Sequence, residues 1–89
     1  MVAVRRLVLD VLKPHQPSGL DLTKAIAAQG RDYHVRCVVE EIDEQTESVT
    51  IFIEGSDIQF EPIARVIEDL GGSVHSVDEI EVHSRDRNR

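Results

Sequence analysis

The chain changes its apolar period from two to about 3.6 and back, twice over, and that order of changes constrains its fold more than any single residue. Residues 3–12, AVRRLVLDVL, alternate, with Leu7, Leu9 and Val11 on one side and Arg6, Val8 and Asp10 on the other, as a half-buried strand does. Two prolines and a glycine in KPHQPSG then break it. In SGLDLTKAIAAQG, residues Leu20, Leu22, Ile26 and Ala27 approximate a helical stripe, with Ser18 as N-cap and Gly30 as the stop. Residues 33–42 place Val35, Cys37 and Val39 on one face; after the polar DEQTE, Val49, Ile51 and Ile53 turn inward, and the two runs form a hairpin. Asp57 is expected to cap a second helix, striped by Phe60, Ile63, Ala64, Ile67 and Leu70 and stopped by Gly71 and Gly72. SVHSVDEIEV is the last strand.

The order β-α-β-β-α-β is a split βαβ unit repeated. Right-handed crossovers then predict an α+β domain: a four-stranded antiparallel sheet in the order 4-1-3-2, with both helices on one face. Residues 1–83 form this single domain, and the polar residues 84–89 are a tail expected to fray. One irregularity stands out. Val74, Val77 and Ile80 do not alternate strictly, so either the last strand bulges near Ser76 or one valine faces out, which leaves the direction of His75 open.

A chain of 89 residues buries roughly 60–65% of its unfolded surface, so partners that bury more would stabilise it. The core must be aliphatic, because there is no Trp, one Tyr and two Phe. The single cysteine, Cys37, excludes an internal disulfide and a cysteine-based zinc cage, and its inward strand position reads as a small core residue. MVAVRRLVLDVLKP has arginines within its apolar run and no small-residue cleavage site, so neither a signal peptide nor a membrane partner is expected, and the expected location is cytoplasmic. The net charge of −7 argues against a nucleic-acid partner. Eight Arg and only two Lys stand against seventeen Asp and Glu, a balance that suits a salt-rich, halophilic cytoplasm or an ordinary acidic protein.

In such a fold one sheet face has no helix to cover it. Val8, Val38 and Phe52 fall at its centre, rimmed by charged residues, and an apolar patch of that kind predicts an interface and a homo-oligomer. RNA-binding domains of this topology stack bases on aromatic residues of the central strands, and here Phe52 is alone in acidic company.

The start of the last strand is expected beside the end of the first. Asp10, His15, Glu54, Asp57, His75 and Asp78 are therefore expected in one region, as a small-ligand site. Histidines with carboxylates suit a transition metal such as Zn, and carboxylates alone suit Mg or Ca. Asp10, His75 and Asp78 are the expected metal ligands. The same residues have ordinary uses: Asp57 as a cap, Asp10 paired with His75, Asp78 in an edge contact. No catalytic residues are assigned. The first loop lacks the paired cysteines of a metallochaperone and the arginine of an acylphosphatase cradle, and the only Asn is Asn88.

Taken together, VLDVLKPHQP, EIDEQTESV, IEGSDIQFEPI and IEDLGGSVHSVDEI resemble an archaeal family, domain of unknown function two-eleven, over nearly the whole chain. The resemblance implies a ferredoxin-like fold and assembly into homo-oligomers, with no established activity. The expected function is a non-enzymatic, homo-oligomeric binding or regulatory module taking a divalent cation or small ligand near a subunit interface. The alternatives are a small metal-dependent enzyme with His75 or His15 as general base beside a carboxylate, and a purely structural scaffold.

Overall fold

The computed structural model describes residues 1–84. Its elements are β1 (Val2–Pro14), α1 (Gly19–Ala27), β2 (His34–Ile42), β3 (Thr46–Glu54), α2 (Phe60–Asp69) and β4 (Ser73–Ser84). The strands form one sheet in the order β2-β3-β1-β4, with every neighbouring pair antiparallel. This is the ferredoxin-like α+β fold that the element order predicts. Ser84, assigned to the tail, closes β4, and residues 85–89 of that tail lie outside the described residues.

The core lies between the sheet and the helices. Leu9, Val11, Val49, Ile51 and Ile53 from the two central strands meet Leu22 and Ile26 of α1 and Ile63 and Ile67 of α2, all fully or nearly fully buried. Each such aliphatic side chain contributes about 1.5–3 kcal/mol on burial. Ser18 caps α1 as expected, its Oγ accepting from the Asp21 N–H at 3.1 Å. Leu20 is not part of the α1 stripe and is exposed. Two positions apart on a helix is about 200°, so Leu20 and Leu22 cannot share a face.

The ends of the helices correct two further expectations. Gln59, not Asp57, precedes α2; its backbone N–H donates to the Tyr33 hydroxyl at 2.8 Å, and its side chain donates to Asp57 at 3.1 Å. Gly30 does not end α1, whose C-cap is Ala28. It makes room for the Tyr33 ring, which a Cβ at this position would strike. Gly71 does stop α2, with φ +89°, a conformation open to glycine and strained in other residues.

The irregularity in β4 resolves into two bulges. Val11 pairs with Val74, Asp10 with Ser76, Leu9 with Val77 and Val8 with Glu79, so His75 and Asp78 are each the extra residue. This spacing carries Val74, Val77 and Ile80 to the same helix-side face, opposite Val11, Leu9 and Leu7. A third irregularity skips Arg5 in β1, and a fourth skips Glu40 in β2.

Candidate functional site

The helix-free face is built by Arg6, Val8, Asp10 and Leu12 of β1 and their register partners Glu54, Phe52, Thr50 and Ser48 of β3. Its centre is not the open apolar patch expected from Val8, Val38 and Phe52. Val8 is only 6% exposed, and Val38 and Phe52 are half-buried. The Arg36 guanidinium lies 4.0 Å over the Phe52 ring, and Arg6 reaches Glu54 at 2.6 Å and Glu79 at 2.9 Å. One arginine head thus lies on the aromatic ring and the other is held between two glutamates.

Beyond this cover, toward the end of β1, Asp10, Leu12, Ser48 and His75 line a hollow of about 220 Å³. The expected approach of His75 to Asp10 is therefore present, and its cause is the first β4 bulge, which inserts His75 between the partners of Asp10 and Val11. Asp78, at the second bulge, accepts from the Ser76 hydroxyl at 2.7 Å. Among the described residues no three His, Cys, Asp or Glu side chains gather closely enough to hold a metal ion, so Asp10, His75 and Asp78 do not form a complete ligand set within one chain.

Two residues expected in this region lie at the opposite end of the sheet. Because β3 runs antiparallel to β1, Glu54 pairs with Arg6 while Asp10 pairs with Thr50. The four-residue separation is roughly 13 Å along the strand. Asp57 follows Glu54 and lies with it at that far end.

His15 is also placed, but in a different arrangement. Its Nδ1 meets Glu47 Oε2 at 3.0 Å and its Nε2 meets the Glu44 carbonyl at 2.9 Å. Both partners only accept, so both ring nitrogens must donate, and the imidazole is held as a cation. The Glu47 hydrogen bond raises its pKa above the ordinary histidine value, and the same bond lowers that of Glu47. Neither nitrogen is left to ligate a metal or take a proton from a substrate.

Glu47 also accepts from Lys13 at 3.0 Å, and Lys13 donates a further bond to the Pro14 carbonyl at 2.7 Å. Lys13 and Glu47 are absent from the expected site. The signal was available: Leu7, Leu9, Val11 and Lys13 are alternate residues, so the lysine falls on the core side. Cys37 packs against the core, and burial raises its thiol pKa, which makes it a poor nucleophile.

At the far end of the face lies a second and larger hollow, about 590 Å³, lined among others by Arg5, His34, Glu54, Glu81 and His83. Arg5, the bulged residue of β1, donates from Nε to the Gly55 carbonyl at 3.1 Å, and its Nη1 lies 3.1 Å from His83 Nδ1. Asp32 binds the Ser56 backbone N–H at 3.2 Å, and hydrogen bonds from Ser56 hold its carboxyl below the usual range.

The profile of DUF211, described as an uncharacterized ArCR family, matches residues 5–85. The chain belongs to the DUF211 family. It is similar to the uncharacterized protein MJ0319 of Methanocaldococcus jannaschii, 42% identical over 80 residues that cover 90% of this chain and 82% of that protein. This DUF211 member thus carries the fold that the resemblance implied. Among its described residues no helix is long and apolar enough to cross a membrane.

Proposed function

We propose that this DUF211 protein is a non-enzymatic, homo-oligomeric binding or regulatory module whose divalent cation or small ligand sits against Asp10 and His75, with Asp78 nearby, close to a subunit boundary. The observation that carries this reading is the hollow formed by Asp10, Leu12, Ser48 and His75 beside the outer strand β4. A carboxylate and an imidazole both line it, yet a cation such as Ca²⁺ takes six to eight oxygen ligands, more than this pair supplies. A second subunit, with water, supplies the remainder.

The outer strand supports the second half of the reading. Val77, Ile80 and Val82 of β4 are 40%, 62% and 52% exposed on its helix side. An unpaired strand edge carrying exposed aliphatic residues favours pairing with another chain. Subunits associate along this edge or through the helix-free face around Val8, Val38 and Phe52.

Native mass spectrometry, reading subunit number and bound mass together, tests both halves. A defined oligomer that carries stoichiometric metal or metabolite, and loses it in His75→Ala, is the expected result. A bare monomer, unchanged by added Ca²⁺, Mg²⁺ or Zn²⁺, overturns the reading. For a bound metal, dialysis against EDTA is expected to lower the melting temperature of the parent and leave that of His75→Ala unchanged.

A further inference from the structure

The larger hollow is distinct from the Asp10–His75 site and lies at the opposite end of the same face. Its charged groups fall into two classes. Glu54 is already bound to Arg6, and Asp32 is already bound to Ser56. Arg5 and Glu81 are different. Among the described residues Arg5 has no carboxylate within salt-bridge distance; its guanidinium is anchored by a carbonyl at Nε and an imidazole at Nη1, both uncharged acceptors. Three of its five N–H groups have no partner among the described residues, and the two anchors fix its plane. Glu81 makes no hydrogen bond or ion pair among the described residues, and it lines the same hollow as Arg5 without pairing with it.

The Arg5 contact also sets the chemistry of His83. A guanidinium only donates, so Nδ1 of His83 accepts and the ring proton resides on Nε2. The hollow therefore offers an oriented cation with spare donors, a neutral imidazole N–H and a free carboxylate. The β1 bulge is what places Arg5 there: in a regular strand consecutive residues face opposite ways, whereas Arg5 is the extra residue beside Arg6, across from Glu81.

We infer that this hollow is a binding site for a small zwitterion of the α-amino acid class. The ligand carboxylate meets Arg5 and the Nε2–H of His83, and the ligand ammonium meets Glu81. An anion without an amino group would leave Glu81 to repel it, and an amine without a carboxylate would meet Arg5. A molecule carrying both charges satisfies both groups. Fixed guanidinium planes favour carboxylates because their paired N–H donors match the two oxygens.

The test is a titration of the full-length ¹⁵N-labelled protein with pools of the twenty common amino acids, followed by single amino acids from any active pool. Acetate and ethylammonium serve as half-ligands. Saturable shifts of the Gly55 and Ser56 amides and the Arg5 Nε–H are expected with an amino acid. Roughly tenfold or weaker binding is expected for each half-ligand, the loss that one charge-assisted hydrogen bond implies. Glu81→Gln, which removes no contact among the described residues, should weaken amino acid binding by a similar factor and strengthen that of acetate, because the charge that repels it is gone. Arg5→Met should abolish both. No saturable shift with any pool overturns the inference, and so does acetate binding as tightly as the amino acid. Loss of the Asp10–His75 site in His75→Ala leaves these shifts in place, so the two sites succeed or fail separately.

Discussion

Lys13 is 2% exposed, on the core side of β1, and its charge is tolerated because Glu47 and the Pro14 carbonyl receive its protons. Losing one partner of a buried pair is costly when the other is left unpaired; Glu47 keeps His15 when Lys13 is lost, whereas Lys13 keeps only a carbonyl when Glu47 is lost. Lys13→Met is therefore expected to change stability by about 1 kcal/mol or less. Glu47→Gln should lower the melting temperature by several degrees, and thermal melts of the two variants check the order. The same carboxylate ties stability to pH. His15 has its pKa raised in the fold, so its contribution is complete below 6.5 and is lost as pH rises through the raised value. Glu47 has its pKa lowered, so its contribution is complete above 4.5 and is lost as pH falls through the lowered value. The melting temperature should decline on the alkaline side, and His15→Ala should flatten that limb and, because the same bond lowers the Glu47 pKa, soften the acid limb as well. A parent protein with no alkaline decline would contradict the cationic His15. Gly30 makes a separate residue-scale prediction. Its Cβ would strike the Tyr33 ring, whose hydroxyl serves the start of α2, so Gly30→Ala should cost about 1–3 kcal/mol in urea unfolding.

At the scale of the element, β4 carries both halves of the functional reading. Its two bulges turn His75 and Asp78 out of simple alternation and bring Val74, Val77 and Ile80 to one face. The helices cover the inner part of that face and leave Ile80 and Val82 more than half exposed. By contrast Val8 is buried and Phe52 lies under Arg36. Two substitutions separate the candidate interfaces when particle mass is read by light scattering. Ile80→Lys should dissociate an edge-paired assembly, and Phe52→Asp should dissociate one joined through the helix-free face. If neither changes the particle, both interfaces are ruled out.

For the molecule as a whole, the net charge of −7 opposes the compact state through self-repulsion, while the exposed Arg6 pairs oppose it little and contribute little. Salt screens both, and the repulsion is the larger sum. The melting temperature is therefore expected to rise between low salt and molar KCl. An equal value in both would remove the halophilic reading.

The sequence by itself determined the element order, the α+β class, the Ser18 cap, the Gly71 stop and the inward set Leu9, Val11, Val49, Ile51 and Ile53. These follow from period and local backbone preference, which neighbouring residues encode. Strand order also put the start of β4 beside the end of β1, but it took the bulge at His75 to set that side chain at the same hollow as Asp10. Only the tertiary structure decided which carboxylates join them. Antiparallel pairing sent Glu54 and Asp57 to the far end of the sheet, and Glu47 took His15 for itself. It likewise decided that Arg5 and Glu81 share a hollow, and that Arg36 covers Phe52 in the expected apolar patch. Register, bulges and the reach of long side chains depend on residues distant in the chain, and no local period records them.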